Sequence, residues 1–186
     1  MKKAVDLKDS KMQIQDLKFK KYISEEKIQE RIKVLGKEVA LENEEAKPIF
    51  IAVLNGGFVF CADLVRASSI ECEIAFLKVH SYEGTNSTEE VKQDFTFSQN
   101  IKDRNIIIVE DIVDKGHTMI HLLEYLKPLQ PKSIKIASFL FKPEACLYDI
   151  QIDYIAFEIP PDFVVGYGLD YNGLGRNLRD LYKLTE

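Results

Sequence analysis

The feature that most limits the folds open to this chain is a series of short, nearly all-apolar runs at 49–54, 105–109 and 134–141, with stretches of helical spacing between them. A strand that is apolar at every position has no solvent face, so it belongs in a parallel sheet covered by helices on both sides. The helical stretches fit that role. Ser24 reads as an N-cap, and Ile28, Ile32, Leu35 and Val39 recur behind it at helical spacing, with Ile23 placed to staple against Ile28. This predicts a helix of about four turns. The run 49–54 leads into Asn55-Gly56-Gly57 and a helical stretch from 58 to about 67, which reads as strand, glycine turn, helix. A β-prone run at 74–82 gives way to a polar stretch at 83–90, and 91–97 alternates as a returning strand would. A helix is expected from 118 to about 129, stopped near Pro128 and Pro131, with further strands at 154–159 and 163–165. Residues 1–18 read as a loose polar leader. The expected fold is α/β, a mostly parallel twisted sheet flanked by helices, with its sites at the carboxyl ends of the strands.

Composition narrows the function classes. A chain of 186 residues corresponds to a single domain and can bury about 70% of its unfolded surface. The formal charge of −5 argues against non-specific nucleic-acid binding, which needs a basic field. Cys61, Cys72 and Cys146 are odd in number and form no C-x-x-C pair, so neither a disulfide framework nor a structural zinc site is indicated. Asp6, Lys8, Asp9 and Lys11 interrupt any secretory apolar region, and no apolar run approaches the roughly 18 residues of a membrane span. A cytoplasmic setting with no membrane partner is expected.

Common nucleotide signatures fail. There is no G-x-x-x-x-G-K-[ST], and Gly166-Tyr167-Gly168 meets Tyr171 where a dinucleotide fingerprint needs its third glycine. His117 and His121 stand four apart as a zinc half-site would, but no third ligand clusters near them in the sequence. The richest constellation is 106–118. A buried strand runs into Glu110 and Asp111, Asp114 follows three residues on, and a turn through Lys115, Gly116 and His117 opens a helix at Thr118. Amides at such a helix start make an anion cradle, supported by the Thr118 hydroxyl and the helix dipole. The carboxylates upstream are acceptors for vicinal hydroxyls or a hard cation. A phosphate beside a diol is a ribose 5-phosphate, although the same spacing is equally that of a solvated acidic turn after a core strand.

The stretch 109–118 resembles the phosphoribosyl-pyrophosphate (PRPP) signature of type I phosphoribosyltransferases, and the resemblance runs over about residues 15–182, narrowing to the hypoxanthine-guanine branch. Leu54-Asn55-Gly56-Gly57 is similar to the pyrophosphate loop, Ser81-Tyr82 to the mobile flap, Phe141-Lys142-Pro143 to the purine-recognising strand end, and 163–172 to the purine pocket. Five blocks occur in the family's order. The resemblance implies one domain, with a core of about 40–160 and a small hood from about 1–30 and 160–186. It implies transfer of the 5-phosphoribosyl group from PRPP to hypoxanthine or guanine, giving IMP or GMP and pyrophosphate.

The same resemblance assigns roles. Asp114 is the catalytic base. Glu110, Asp111, Asp114, Lys115, Gly116, His117 and Thr118 hold the ribose and 5-phosphate, and Asn55, Gly56 and Arg176 the pyrophosphate. Lys142, Phe163, Val164 and Asp170 take the purine, and Ser81 and Tyr82 close as the flap. Glu110, Asp111 and Asp170 are the magnesium ligands. No nucleic-acid partner is expected, and the family is usually a homodimer or homotetramer. The chain departs from the family pattern twice: Asn55 stands where lysine is usual, and Lys115 where threonine is usual. The alternatives are a xanthine-preferring transferase, and a nucleotide- or PRPP-sensing RNA- or DNA-binding regulator on the same fold, which would show a basic face and a degraded base pocket; here the charge is −5 and Lys142, Phe163 and Asp170 are present.

Overall fold

A computed structural model of the chain describes residues 11–81 and 93–185. In chain order its elements are β1 (Lys11–Ile14), β2 (Leu17–Ile23), α1 (Glu25–Asn43), β3 (Ile49–Leu54), α2 (Phe58–Ser68), β4 (Glu73–Ser81), β5 (Gln93–Thr96), β6 (Asn105–Val113), α3 (His117–Leu126), a 3-10 turn (Lys127–Leu129), β7 (Ser133–Phe141), β8 (Tyr154–Glu158), β9 (Val164–Val165) and β10 (Leu181–Leu184). The main sheet has the order β5-β4-β3-β6-β7-β8. Five of its strands are parallel, and β5 returns antiparallel along β4.

Alternation within the strands sorts the core into two layers. Phe50 and Ala52 of β3, with Ile107 and Val109 of β6, face Ile28, Ile32 and Leu35 of α1 and Phe60 and Leu64 of α2. Ile49, Ile51 and Val53, with Ile106 and Ile108, face Met119, Leu122 and Leu126 of α3 on the opposite side. The expected absence of a solvent face on β3 and β6 is therefore met. Each of the larger of these side chains, taken wholly out of water, contributes roughly 1.5–3 kcal/mol relative to an exposed one. The α1 helix runs 19 residues, a turn more than its apolar repeat suggested, and the Ser24 side chain accepts from Lys27 N–H at its start. It continues past Val39 because Asn43 is buried there, its amide donating to Val39 O and to the Tyr154 hydroxyl.

The chain enters the sheet at β3, steps to β4 on one side, then crosses to β6 on the other. Strand order thus reverses between β3 and β6, and the loops leaving their carboxyl ends diverge there. That crevice is where the residues singled out from the sequence converge.

Two readings need correction. Residues 11–18 are not a loose leader: β1 and β2 form an antiparallel hairpin, with Met12 opposite Phe19 and Ile14 opposite Leu17. They join β10 and β9 in a second sheet of order β1-β2-β10-β9. The hairpin is stabilised by a partner far away in sequence, because Phe19 is fully buried among Ile14, Val165 and Tyr182. The strand after 105 does not stop at Val109 either. Its ladder to β7 continues through Glu110–Ser138, Ile112–Leu140 and Val113–Phe141, which puts the acidic pair inside the strand rather than beyond it.

Candidate active site

The carboxyl ends of β3 and β6, the start of α3 and the loop around Asp170 enclose a cavity of about 520 Å³. It is lined by Asn55, Gly56, Glu110, Asp111, Asp114, the whole turn from Lys115 to Thr118, Asp170 and Arg176. A second cavity of about 230 Å³, lined by Lys142, Phe163 and Val164, shares Asp111, Ile112, Asp114 and Asp170 with the first. Fourteen sequence-assigned positions thus meet in two adjoining chambers. Ser81 ends β4, and Tyr82 with the polar stretch after it lies outside the described residues.

The acidic pair is held by the backbone that presents it. Glu110 is buried and its carboxylate accepts from Asp111 N–H at 3.2 Å, while Asp111 accepts from Ile112 N–H at 2.8 Å. Burial, then the neighbouring Asp111 charge, pushes the Glu110 carboxyl well above the usual carboxylate range. Burial also raises Asp111, against hydrogen bonds and the Arg176 guanidinium, which favour its anion. Asp111 lies directly on the Asn55–Gly57 turn. A side-chain carbon at Gly56 would sit 1.3 Å from Asp111 Oδ2, so only glycine fits there. The Leu54–Asn55 peptide is cis.

Arg176, which also lines the cavity, is clamped. One guanidinium nitrogen donates to Gly168 O at 2.7 Å and another pairs with Asp170 Oδ1 at 2.6 Å. Asp170 in turn accepts from Gly173 N–H at 2.6 Å. In the smaller chamber Lys142 is buried and its ammonium lies 2.6 Å from the half-exposed Asp114. Two amides, Ala145 N–H and Cys146 N–H, donate to Lys142 O, and Lys142 N–H donates to Val113 O. These bonds fix the lysine beside β6. Phe163 keeps 43% of its surface exposed and is flanked by Phe19 and Tyr171, at ring-centroid distances of 6.2 and 6.0 Å. An aromatic face left open beside a charged donor is a stacking surface for a flat polar ring.

A model of the phosphoribosyl transferase domain family matches residues 23–172. The chain belongs to that family. The hypoxanthine-guanine phosphoribosyltransferase of Bacillus subtilis (strain 168) is 43% identical over 157 residues, covering 84% of this chain and 87% of the relative. The hypoxanthine phosphoribosyltransferase of Buchnera aphidicola subsp. Schizaphis graminum is 44% identical over 82% and 88% of the two chains. Among solved structures, a hypoxanthine phosphoribosyltransferase from Staphylococcus aureus superposes with a TM-score of 0.82 at 34% identity, covering 89% of this chain and 91% of the other.

In this phosphoribosyl transferase domain, residues that the sequence did not single out also lie against the site. Tyr148 O–H lies 2.9 Å from His117 Nδ1, with the two rings edge to face. His121, by contrast, pairs with Glu124, so the two histidines do not act together. Ile112 lines both chambers. The β1–β2 turn also reaches the site loop, where Tyr171 O–H donates to Asp16 at 2.9 Å and Asn172 to Gln15 at 3.1 Å. Only the period-two alternation of Met12, Ile14, Leu17 and Phe19 could have signalled that hairpin, and it is four positions long.

Proposed function

We propose that the chain transfers the 5-phosphoribosyl group of PRPP to hypoxanthine or guanine, releasing pyrophosphate and giving IMP or GMP. One observation carries this reading: Asp114 lines both chambers, the larger with the acidic pair and the Lys115–Thr118 turn, the smaller with Lys142 and Phe163. The activity of the relatives supports it.

In this reading the 5-phosphate lies on the Lys115–Thr118 turn, where the amides and dipole at the start of α3 favour an anion. Glu110 and Asp111 accept from the ribose hydroxyls, and their charge favours the oxocarbenium-like transition state. Lys142 donates to the 6-oxo group, Phe163 stacks on the ring, and the Val164 main chain meets its Watson–Crick edge. A purine ring nitrogen bonds to C1′ as the C1′–O bond to pyrophosphate breaks. Asp114 takes the proton that leaves the imidazole ring of the base. Arg176 supplies a planar fork of donors to the departing pyrophosphate, and Ser81 and Tyr82 belong to the flap that excludes water. The β1-β2-β10-β9 sheet serves as the hood over the purine.

The residues present fit magnesium. Among the described residues no cluster of three His, Cys, Asp or Glu side chains makes a cage, but Mg²⁺ is usually held by one or two carboxylates together with waters and substrate phosphates. Glu110 and Asp111 offer hard oxygen donors whose burial disfavours two uncompensated charges, and Asp170 lines the same cavity. The ion would offset the charge of pyrophosphate. The reading extends to a cytoplasmic homodimer or homotetramer, in keeping with three free thiols and with the family.

The test is a spectrophotometric assay with magnesium, PRPP and, in turn, hypoxanthine, guanine, xanthine, adenine and uracil. Nucleotide formed from the first two and not from adenine is the expected result. Turnover of xanthine or uracil alone, or of no base, overturns the proposal.

A further inference from the structure

Three successive residues beside the large chamber have positive φ: Gly166 at 107°, Tyr167 at 48° and Gly168 at 103°. For an aromatic residue the left-handed region is unfavourable, so Tyr167 stays there only because its surroundings fix it. Its ring is buried at 3% exposure, with Phe139 at a centroid distance of 4.5 Å. Its hydroxyl donates to Asp63 Oδ2 at 2.6 Å, and Gln29 Nε2 donates to the same oxygen at 2.8 Å. Arg66 is 3.9 Å from Asp63 Oδ1. Burial, then the bond to Asp63, pushes the phenol well above its usual range, so it remains a donor.

The turn fixed in this way bears on the pyrophosphate loop. A side-chain carbon at Gly168 would lie 2.3 Å from Gly56 O, so the two main chains touch where only glycine allows it. Gly168 also exchanges hydrogen bonds with Arg176, donating to its carbonyl at 3.0 Å and accepting from its guanidinium at 2.7 Å. Asp63 lies on α2, the helix that issues from the Asn55–Gly57 turn. The contacts close a ring: from the loop along α2 to Asp63, across to Tyr167, and through Gly168 back to Gly56.

We propose that the Tyr167–Asp63 hydrogen bond is the strut that sets the Gly56 main chain and Arg176 for a pyrophosphate group, making Asp63 and Tyr167 positioning residues for PRPP and not for the purine. Neither lines a chamber; both act through Gly168. Without the strut the left-handed turn relaxes and Gly168 backs away from Gly56. Arg176 then loses the carbonyl that orients it. Lys142 and Phe163, on the purine side, are not part of the ring. The inference rests on the proposed activity.

The test compares wild type with Tyr167→Phe, which removes one oxygen, Asp63→Ala, and Asp63→Asn, which keeps an acceptor. KM is measured for PRPP and base in the forward direction, and for pyrophosphate in the reverse direction. Tyr167→Phe and Asp63→Ala should each raise KM for PRPP and for pyrophosphate by about tenfold and leave KM for the base within about twofold, with Asp63→Asn nearer wild type. Near-unchanged PRPP and pyrophosphate KM in Tyr167→Phe overturns the strut, as does a base KM that rises in step. If Asp63→Ala does not fold, Tyr167→Phe decides. Calorimetric titration with magnesium pyrophosphate reads the same difference without turnover, so a wild-type chain that transfers nothing overturns the activity while the strut is still judged.

Discussion

Lys142 Nζ lies 2.6 Å from Asp114 Oδ2, so the donor assigned to the purine 6-oxo group and the base assigned to the ring proton neutralise one another before any purine binds. The lysine is the buried partner and the aspartate the half-exposed one. A cation removed from water needs its counter-charge or a strong acceptor. A 6-oxo oxygen is such an acceptor, and a 6-amino group is not.

Asp114→Asn keeps the shape and removes the basicity. Its kcat should fall by about 10²- to 10⁴-fold with little change in the affinity for PRPP. Steady-state kinetics with a direct PRPP binding measurement checks this, and a variant with wild-type kcat would remove Asp114 from the chemistry.

Lys142→Ala should reduce kcat/KM for hypoxanthine and guanine together by about tenfold or more, since a charge-assisted bond to the 6-oxo group is lost. Adenine turnover, if measurable at all, should stay level or rise, because the ammonium that faces its amino hydrogens is gone. Equal loss for all three bases would show a structural effect instead.

Lys115 stands exposed on the lip of the phosphate turn, its carbonyl accepting from Leu147 N–H at 3.1 Å. If main-chain amides do the binding, Lys115→Thr should change KM for PRPP by less than about tenfold, equivalent to roughly 1.4 kcal/mol. A larger loss would make the ammonium a phosphate ligand in its own right.

Asp180 ties the second sheet to the first helix. It accepts from Glu25 N–H at 2.7 Å, from Lys21 at 2.6 Å and from Tyr182 O–H at 3.2 Å. Burial alone would raise its carboxyl, but the hydrogen bonds from Lys21 and Glu25 outweigh burial and hold it below the usual range. A depressed folded-state value means stability that is present above the unfolded value, near 3.9, and lost as pH falls through the folded one. The difference in Tm between wild type and Asp180→Asn should therefore be largest near neutrality and shrink below about pH 4. A difference that stays constant down to pH 3 would assign the effect to shape rather than charge.

What could be read from the sequence was what repeats locally. The strands β3, β6 and β7 show themselves because burial on both faces leaves few polar positions, and the acidic pair stands out against that background. Ser24 marks the start of α1 by its own side chain. The elements that escaped are those whose stability comes from distant partners. The β1–β2 hairpin is four and seven residues long, and it rests on β10. The Lys142–Asp114 and Tyr148–His117 contacts join residues 28 and 31 positions apart, and no periodicity encodes such a meeting. The resemblance to a family supplied Lys142 and Asp114 as separate residues but not their pairing.

The second sheet gives this chain an order of assembly. Ile23 and Phe19 of β2 pair with Leu181 and Leu184 of β10, a closure of nearly the whole chain length, whereas β3, β6 and β7 lie within the stretch 49–141. Closing a longer loop costs more chain entropy and slows the contact. On the ribosome, the turn before α3 can form once β7 has emerged, while β2 waits with Phe19 uncovered until β10 arrives. The wall that carries Phe163 is therefore completed last, and a chain ending short of β10 would leave the synthesis machinery with a phosphate pocket and an exposed aromatic, a target for chaperones rather than an enzyme.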